Sequence, residues 1–562
     1  MSTGRKRAAS SSKEDRPGIK RAVKWTRQFS HAGPRFQPDY KPISGTKPLF
    51  RYAGKPLLLE RNTEEVAVMY ARYLCGKRRT RDIEKTLQQN FFEDWQKYMS
   101  SKEKQQIKKF ELCDFSGLVK KLQEDKAKPL TKQERAAQKK KREDMMNQYK
   151  TVIVDGRREL ISNFTVEPPG LYMGRGKNDN IGRVKPRIKP KDITINCDDR
   201  HIPKAPGNSK WGAIVHDKSV MWLASWYDPI TKGPKYIQLH PSSKIKNDIE
   251  EEKFQTVRKL HRKILEVRKH YEKDLKSKKN ETEGEYATRQ IATAVYLIDN
   301  FALRVGNEKP EGATDTVGCC SLRVEHLSLL ASKNIRLNFL GKDSIRYEKG
   351  HQVSNAVYDN LQDFTRDFDG KKKTKKQLLF DSIKTKHVND YLYNLMKGQG
   401  LTAKVFRTFR ATQHFEEKLE EYSKFHELKA TKSTPEDDKM KMIVFKKANL
   451  AVAQLLNHQT LSKPTTKGKA IKVNEKRIKD AQYKLNNLSK GTDEHRKTTA
   501  QLVVLKHELD LKVEQRTYAL GTSKTNYIDP QVSAKWCKKY KVDITKVYSK
   551  VQLGKFRWAL RS

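Results

Sequence analysis

The 562-residue chain is short of the features that mark most familiar chemistries. Its six cysteines (Cys75, Cys113, Cys197, Cys319, Cys320, Cys537) include no C-x-x-C pair, and adjacent Cys319 and Cys320 are poorly placed to ligate one metal together. That argues against structural zinc and a disulfide framework, and for reduced thiols in an intracellular compartment. No run approaches the ~18 consecutive apolar residues needed to cross a bilayer. The N-terminal MSTGRKRAASSSKEDR lacks the apolar region of a secretory signal. Neither a membrane protein nor a secreted one is expected. Every Gly-Lys pair is followed by Pro, Arg, Asn, Asp, Lys, Ala or Phe, so no phosphate-cradling G-x-x-x-x-G-K-[ST] loop exists. H-E-x-x-H, G-x-S-x-G and G-x-G-x-x-G are absent too. Asp367 and Asp369 form a lone D-x-D beside KKKTKK, a thin basis for two-metal phosphoryl transfer. Acidic residues are also scarce: 67 Asp and Glu face 118 Lys and Arg, a net charge of +51.

That charge constrains the partner. A compact protein so basic repels itself unless an anion of matching extent neutralises it, and a polyphosphate backbone is the usual one. Charge alone is equally consistent with a ribosomal or chromatin-type binder without chemistry. At ~150 residues per domain, the length predicts three or four folded units. Residues 1–23 read as a disordered basic tail, with a Ser run and two basic clusters compatible with nuclear import. Residues 62–125 carry helical patterns such as EEVAVMYARYL and NFFEDWQKYM, and 131–150 an exposed, charged helix. From 151 to 240, short Val-, Ile-, Trp- and Tyr-rich runs between Gly and Pro predict strands. Helical periodicity returns over 251–306, with Ile291, Val295, Ile298 and Phe301 on one face and Gly306 as the stop. IRLNFL-GKDS-IRYEK predicts a hairpin with a four-residue turn. Further helices are expected over 388–423 and 439–458, the second carrying His458 near its end. Ile478, Ala481, Leu485 and Leu488 facing Leu502, Leu505 and Leu509 predict an antiparallel two-helix arm with one narrow apolar seam.

Breaking a nucleic-acid backbone without a metal requires three groups. A nucleophile attacks phosphorus, fixed cations stabilise the five-coordinate phosphorane, and an acid protonates the departing sugar oxygen. Tyrosine suits the first role, because its phenolate exchanges one phosphodiester for another and no nucleotide need be hydrolysed. SKTNYIDP (523–530), followed by WCKKYKV, closely resembles the active-site tyrosine segment of eukaryotic type IB DNA topoisomerases. EPPGLYMGRG, NEKPEGATDTVGCCSLRVEHL, FLGKDSIRY, LTAKVFRT and LLNHQ resemble that family's core, and KWTRQFSHAGPRF and NFFEDWQKYM its cap region. The resemblance runs over residues 24–562, with several long motifs in the same order.

The resemblance implies roles residue by residue. Tyr527, one of 22 tyrosines, is the implied nucleophile. Arg304 and Arg407, the latter just after a potential Thr402 N-cap, are implied to grip the non-bridging oxygens through planar charged forks. His458 is implied to donate a third hydrogen bond there. Lys342 is the implied general acid toward the 5′-oxygen, with burial beside the arginines lowering its pKa. Taken singly, each has a plainer reading: a helix-end cation for Arg304, a satisfied core imidazole for His458, an exposed turn lysine for Lys342. Asp343, Asn526 and Arg175 resemble family residues beside the cleaved step, where intercalating drugs trap the covalent complex. Lys185, Arg187, Lys246 and Lys404 resemble DNA contacts. Met173 departs from the pattern, standing where many relatives carry another Arg.

The implied fold is an α+β multidomain DNA clamp. Residues 24–243 would form the cap and a β-rich lobe, 244–461 a mainly helical catalytic lobe, 462–516 the antiparallel helical arm and 517–562 a small helical domain carrying Tyr527. The expected partner is double-stranded DNA, held by a monomer in the nucleus with no membrane, metal or cofactor. Two rivals remain open. A tyrosine recombinase or integrase uses a similar Arg-Lys-Arg-His-Tyr set, though its H-x-x-R box here reads Lys404-Val-Phe-Arg407. A catalytically silent nucleic-acid scaffold would leave Tyr527 structural.

Overall fold

In a computed structural model, the described residues are 23–76, 81–127, 131–174, 178–276, 279–307, 315–430, 434–460 and 464–560. They form a mixed α/β, multidomain architecture of about 52% helix and 14% strand, so helix packing sets most of the frame. No closed barrel occurs among the described residues. Residues 1–22 of the basic tail and Arg175 lie outside the described residues. Two compact units are distinguished. One takes the described residues up to Met173 together with Asp179–Ile245; the other takes Gly174, Asn178 and those from Lys246 onward.

In the first unit, helices Arg61–Leu74, Arg81–Gln96 and Ser116–Ala127 surround an aromatic core of Phe50, Tyr70, Phe91, Trp95 and Phe115. Such rings bury large apolar areas with specific stacked and edge geometries. The buried Trp95 indole satisfies its N–H by donating to Thr63 O at 2.9 Å. Met173 packs against this cluster. The exposed helix Lys132–Asn147 opens on a reciprocal Thr131/Glu134 cap. A four-stranded sheet runs in the order Ala213–Val215, Thr194–Asn196, Trp222–Tyr227, Pro234–Gln238. It supplies Ile195, Leu223, Ala224 and Ile237 to a second core, the adjacent Leu223 and Ala224 both being buried where the register shifts between Trp222 and Ala224.

The second unit is built on helices Lys244–Asp274 and Glu283–Phe301. The latter stops at Phe301, not at Gly306 as the pattern suggested, because Ala302 turns left-handed at φ 50°. Gly306 serves a different purpose. A Cβ there would lie 2.8 Å from Gly318 Cα, so two strands of chain can cross only between glycines. Arg304 O and Val305 O accept from Cys319 N and Cys320 N, both at 2.7 Å, across that crossing.

Strands Asn334–Gly341 and Ile345–Gln352 form the hairpin, with Leu327–Leu330 as a third strand. Gly341 pairs with Ile345, so the turn is three residues, not four, with Asp343 and Ser344 left-handed at φ 68° and 58°. The helices over 388–423 are Thr385–Leu395 and Ala403–Phe425, the second starting after Thr402, and they are separated where Lys397, Gly398 and Gly400 take positive φ. Helix Pro435–Leu455 ends before Asn457 (φ 54°), so His458 stands beyond the helix rather than on it.

Helices Pro464–Asn486 and Asp493–Glu514 pack through Ile478, Ala481, Leu485, Leu502 and Leu505. Fully buried Asn474 donates to Leu505 O at 2.9 Å and accepts from Lys512 Nζ at 3.0 Å, pinning their register. The second helix also buries Val504 and Leu511 against Ile443 and Leu450, so more than one seam anchors it. The C-terminal helices seat Trp536, Tyr540, Tyr548 and Phe556 on Phe415, Val444 and Phe445.

Candidate active site

Arg304, Arg407, His458 and Tyr527 come from four distant stretches of sequence, and the second unit brings them together. Helix Ala403–Phe425 carries Arg407, 5% exposed, inward from its first turns. Thr402 occupies the N-cap position but makes no side-chain cap bond. The Arg407 guanidinium donates through Nη2 to Leu456 O at 2.6 Å and through Nη1 to Ala302 O. Those carbonyls belong to the C-cap residues of helices Pro435–Leu455 and Glu283–Phe301. The carbonyls at a helix end have no intrahelical partner and carry partial negative charge, so one arginine satisfies both ends. It thereby sets the paths that lead to Arg304 on one side and His458 on the other.

Tyr527 ends helix Leu520–Asn526 and is 7% exposed. Its Oη accepts from Arg304 Nη1 at 3.2 Å, the Arg407 guanidinium lies 5.4 Å from its ring and the His458 ring 5.3 Å from it. Burial raises the phenol's pKa, but Arg407 and then Arg304 more than offset this, leaving it below the usual value. A phenol poised toward phenolate next to two fixed cations is an activated nucleophile. Arg407, fully desolvated and beside Arg304, is pushed down to about 10 and stays charged at neutral pH.

His458 is 6% exposed, and burial, followed by Arg407, Arg304 and Lys342, pushes it down to about 3, so the ring is neutral. Nδ1 lies 2.8 Å from Ser523 Oγ, while Nε2 meets no partner among the described residues. When the Ser523 hydroxyl donates to Nδ1, the single ring proton sits on Nε2 as an available donor. Lys342 sits at the hairpin tip and lines a cleft of about 260 Å³ with Arg304, Arg407 and His458. It is exposed, which corrects the expectation of burial, because the short turn carries no covering side of its own. Three donors and an ammonium around one cleft, beside an activated phenol, can hold and transfer a phosphoryl diester.

The remaining candidates divide. Asp343 is exposed on the same turn as Lys342 and lines the same cleft. Asn526 immediately precedes Tyr527, and its carbonyl accepts from Lys253 Nζ at 3.0 Å. Lys404 is exposed on the first turn of the Arg407 helix. Lys246 is half-buried near the start of Lys244–Asp274, where burial and then Lys555 lower its pKa. Lys185 and Arg187 lie in the other unit and are already engaged. Lys185 Nζ pairs with Glu167 at 2.7 Å and Asp228 at 2.9 Å; burial works against its charge, but the two carboxylates raise its pKa overall. Arg187 donates to Gln37 O, Pro38 O and Glu65. Sequence reasoning missed Ser523, although it stands one helical turn before Tyr527, and missed Thr412 and Asp529 beside the nucleophile, which no motif flags. Among the described residues no group of three or more His, Cys, Asp or Glu could hold a metal ion. Asp367 Oδ1 instead accepts from Lys371 N at 2.8 Å within its own loop.

The chain matches three family models: eukaryotic DNA topoisomerase I, DNA binding fragment, over residues 23–239; eukaryotic DNA topoisomerase I, catalytic core, over 242–492; and C-terminal topoisomerase domain over 499–562. It is 39% identical to DNA topoisomerase 1 of Caenorhabditis elegans, covering 96% of this chain and 67% of that protein. Against DNA topoisomerase 1 of Homo sapiens the identity is 38%, covering 96% of this chain and 71% of that protein. Against the mitochondrial DNA topoisomerase I of Rattus norvegicus it is 38%, covering 96% and 92%.

Proposed function

The chain belongs to the eukaryotic DNA topoisomerase I family, and from that premise we propose how its residues relax supercoiled duplex DNA. Tyr527 Oη attacks the phosphorus of one strand, forming a 3′-phosphotyrosyl bond as the bond to the 5′-oxygen breaks. The phenolic proton passes to solvent, eased by the two arginines that lower its pKa. Arg304, Arg407 and His458 Nε2 hold the non-bridging oxygens as charge grows there. Lys342, in the turn that joins the paired strands, delivers a proton to the departing 5′-oxygen. The downstream duplex swivels about the intact strand, and the 5′-hydroxyl then reverses the exchange. One phosphodiester replaces another, so the reaction needs no nucleotide.

The observation that carries this reading is the convergence of Arg304, Arg407 and His458 on Tyr527. The finer architecture is part of the proposal. Residues 24–243 and 244–461 are the two lobes of a monomeric clamp, 462–516 an arm that slows the rotating DNA, and 517–562 the domain that presents Tyr527. Lys246, Lys404, Asp343 and Asn526 contact the DNA near the cleaved step. Lys185 and Arg187, paired with Glu167, Asp228 and Glu65, are DNA backbone contacts in the same proposal. The nucleus is the proposed site of action; some relatives are named as mitochondrial forms. Clamping by phosphate contacts predicts steeply salt-dependent, sequence-tolerant binding.

The test is relaxation of supercoiled plasmid in EDTA without ATP, beside Tyr527→Phe. Wild type relaxes the plasmid; the variant binds DNA equally and does not. DNA binding without relaxation at any salt would favour the silent scaffold instead.

A further inference from the structure

We propose that Thr412 is a positioning residue that fixes the nucleophile in the frame of the phosphate-binding helix; the inference rests on the reading of Tyr527 above. Helix Leu520–Asn526 ends at Tyr527 and helix Pro530–Tyr540 starts after Asp529, so the three residues between are a junction with orphaned backbone groups. Two of these groups are taken by a single side chain. Thr412 Oγ1 donates to Tyr527 O at 3.1 Å and accepts from Asp529 N at 3.1 Å. A hydroxyl can do both at once, and no apolar side chain of the same shape can do either.

Thr412 lies five residues after Arg407 on one 23-residue helix. At ~1.5 Å rise per residue, the two are spaced by a rigid rod about 7.5 Å along its axis. The hydroxyl therefore locks the nucleophile's own carbonyl and the backbone two residues on to the element that carries a phosphate clamp. The junction is held from a second direction as well. The Asp529 carboxylate, 4% exposed, accepts from Arg258 Nη1 at 2.6 Å and caps the following helix through Gln531 N at 3.0 Å. Arg258 belongs to helix Lys244–Asp274. Tyr527 and Ile528 also pack with Ala411 and Phe415, the neighbours of Thr412 on its helix. Neither Thr412 nor Arg258 reaches the reacting atoms; both act through the position of Oη.

A displacement of about 1 Å at a reacting atom costs on the order of a hundredfold in rate. The experiment is single-turnover cleavage by the full chain of a duplex whose short 5′-hydroxyl fragment diffuses away, with duplex affinity measured in parallel. Thr412→Val, which keeps shape and loses the hydroxyl, is expected to cleave at least about tenfold more slowly with affinity unchanged. Thr412→Ser, which keeps the hydroxyl, is expected to restore cleavage to near wild type. Wild-type cleavage by Thr412→Val, or a Thr412→Ser variant as slow as it, overturns the inference. Should Thr412→Val fail to fold, Arg258→Gln carries the test, because Arg258 is 34% exposed and holds the same junction through Asp529, its other contact being the Trp558 ring at 5.8 Å. A slower cleavage at equal affinity then supports the clasp, and a wild-type rate overturns it. No adduct from the wild-type chain itself would strike instead at the reading of Tyr527.

Discussion

Removing one oxygen, in Ser523→Ala, isolates what orients His458. The imidazole is neutral at every pH above about 4, since burial beside Arg407 and Arg304 pushes it down to about 3. A neutral ring has one proton and two nitrogens, and only the Nε2–H form can donate to a bound phosphate. Ser523 Oγ lies 2.8 Å from Nδ1, and when its hydroxyl donates there it holds the ring in that form. The substitution spares the backbone, where Ser523 O accepts from Tyr527 N and Ile528 N, so the helix and the nucleophile stay in place. What is lost is one buried hydrogen bond, and an orphaned buried polar atom costs about 1–3 kcal/mol. If some 1.4 kcal/mol of this is felt in the transition state, cleavage slows about tenfold. Deleting the donor itself, in His458→Ala, should cost about 10²–10³. Single-turnover cleavage of all three proteins, with duplex affinity as control, makes the comparison. Cleavage by Ser523→Ala within twofold of wild type would refute the tautomer argument. So would a loss as large as that of His458→Ala, since Ser523 would then act on more than the ring.

Two further expectations follow from the same site and its surroundings. Arg407→Lys keeps the charge but cannot serve Ala302 O, Leu456 O and a phosphate together; it should lose about 10²–10³ in cleavage and about 1–3 kcal/mol in stability, read by cleavage and by thermal melting, and wild-type values in both would contradict its double anchoring. Burial pushes His31 and His351 down to about 4 and His458 to about 3, so the folded chain keeps them neutral where the unfolded chain, near 6.5, takes up protons. Their contribution to stability is complete above about pH 6.5 and is lost as pH falls toward 4, with a slope of up to about 1.4 kcal/mol per pH unit for each histidine. Melting temperatures that stay level from pH 7 to pH 5 would contradict this.

The site was more legible than the backbone that builds it. Tyr527, Arg304, Arg407, His458 and Lys342 each stood in a motif long enough to single them out. The hairpin and the two-helix arm followed from alternation and from a facing Leu and Ile pattern. What escaped was set by backbone conformations that apolar periodicity does not encode. The left-handed turn at Ala302, not Gly306, ends the helix before Arg304. His458 owes its position to a positive φ at Asn457, so a helical reading of LLNHQ puts it on the wrong element. The resemblance singles out Lys185 and Arg187 as DNA contacts, but no motif shows the carboxylates of Glu167, Asp228 and Glu65 with which they pair. Thr412 and Ser523 were invisible for a simpler reason: each matters through a partner more than 60 residues away in the chain.

The relaxation reaction contains the decisive species. Trapping it in EDTA without ATP, digesting the protein and mapping the nucleotide-bearing peptide by mass spectrometry identifies the nucleophile directly. The account predicts a nucleotide joined through its 3′-phosphate to Tyr527 and to no other residue. An adduct on a different side chain, or one joined through a 5′-phosphate, would contradict it.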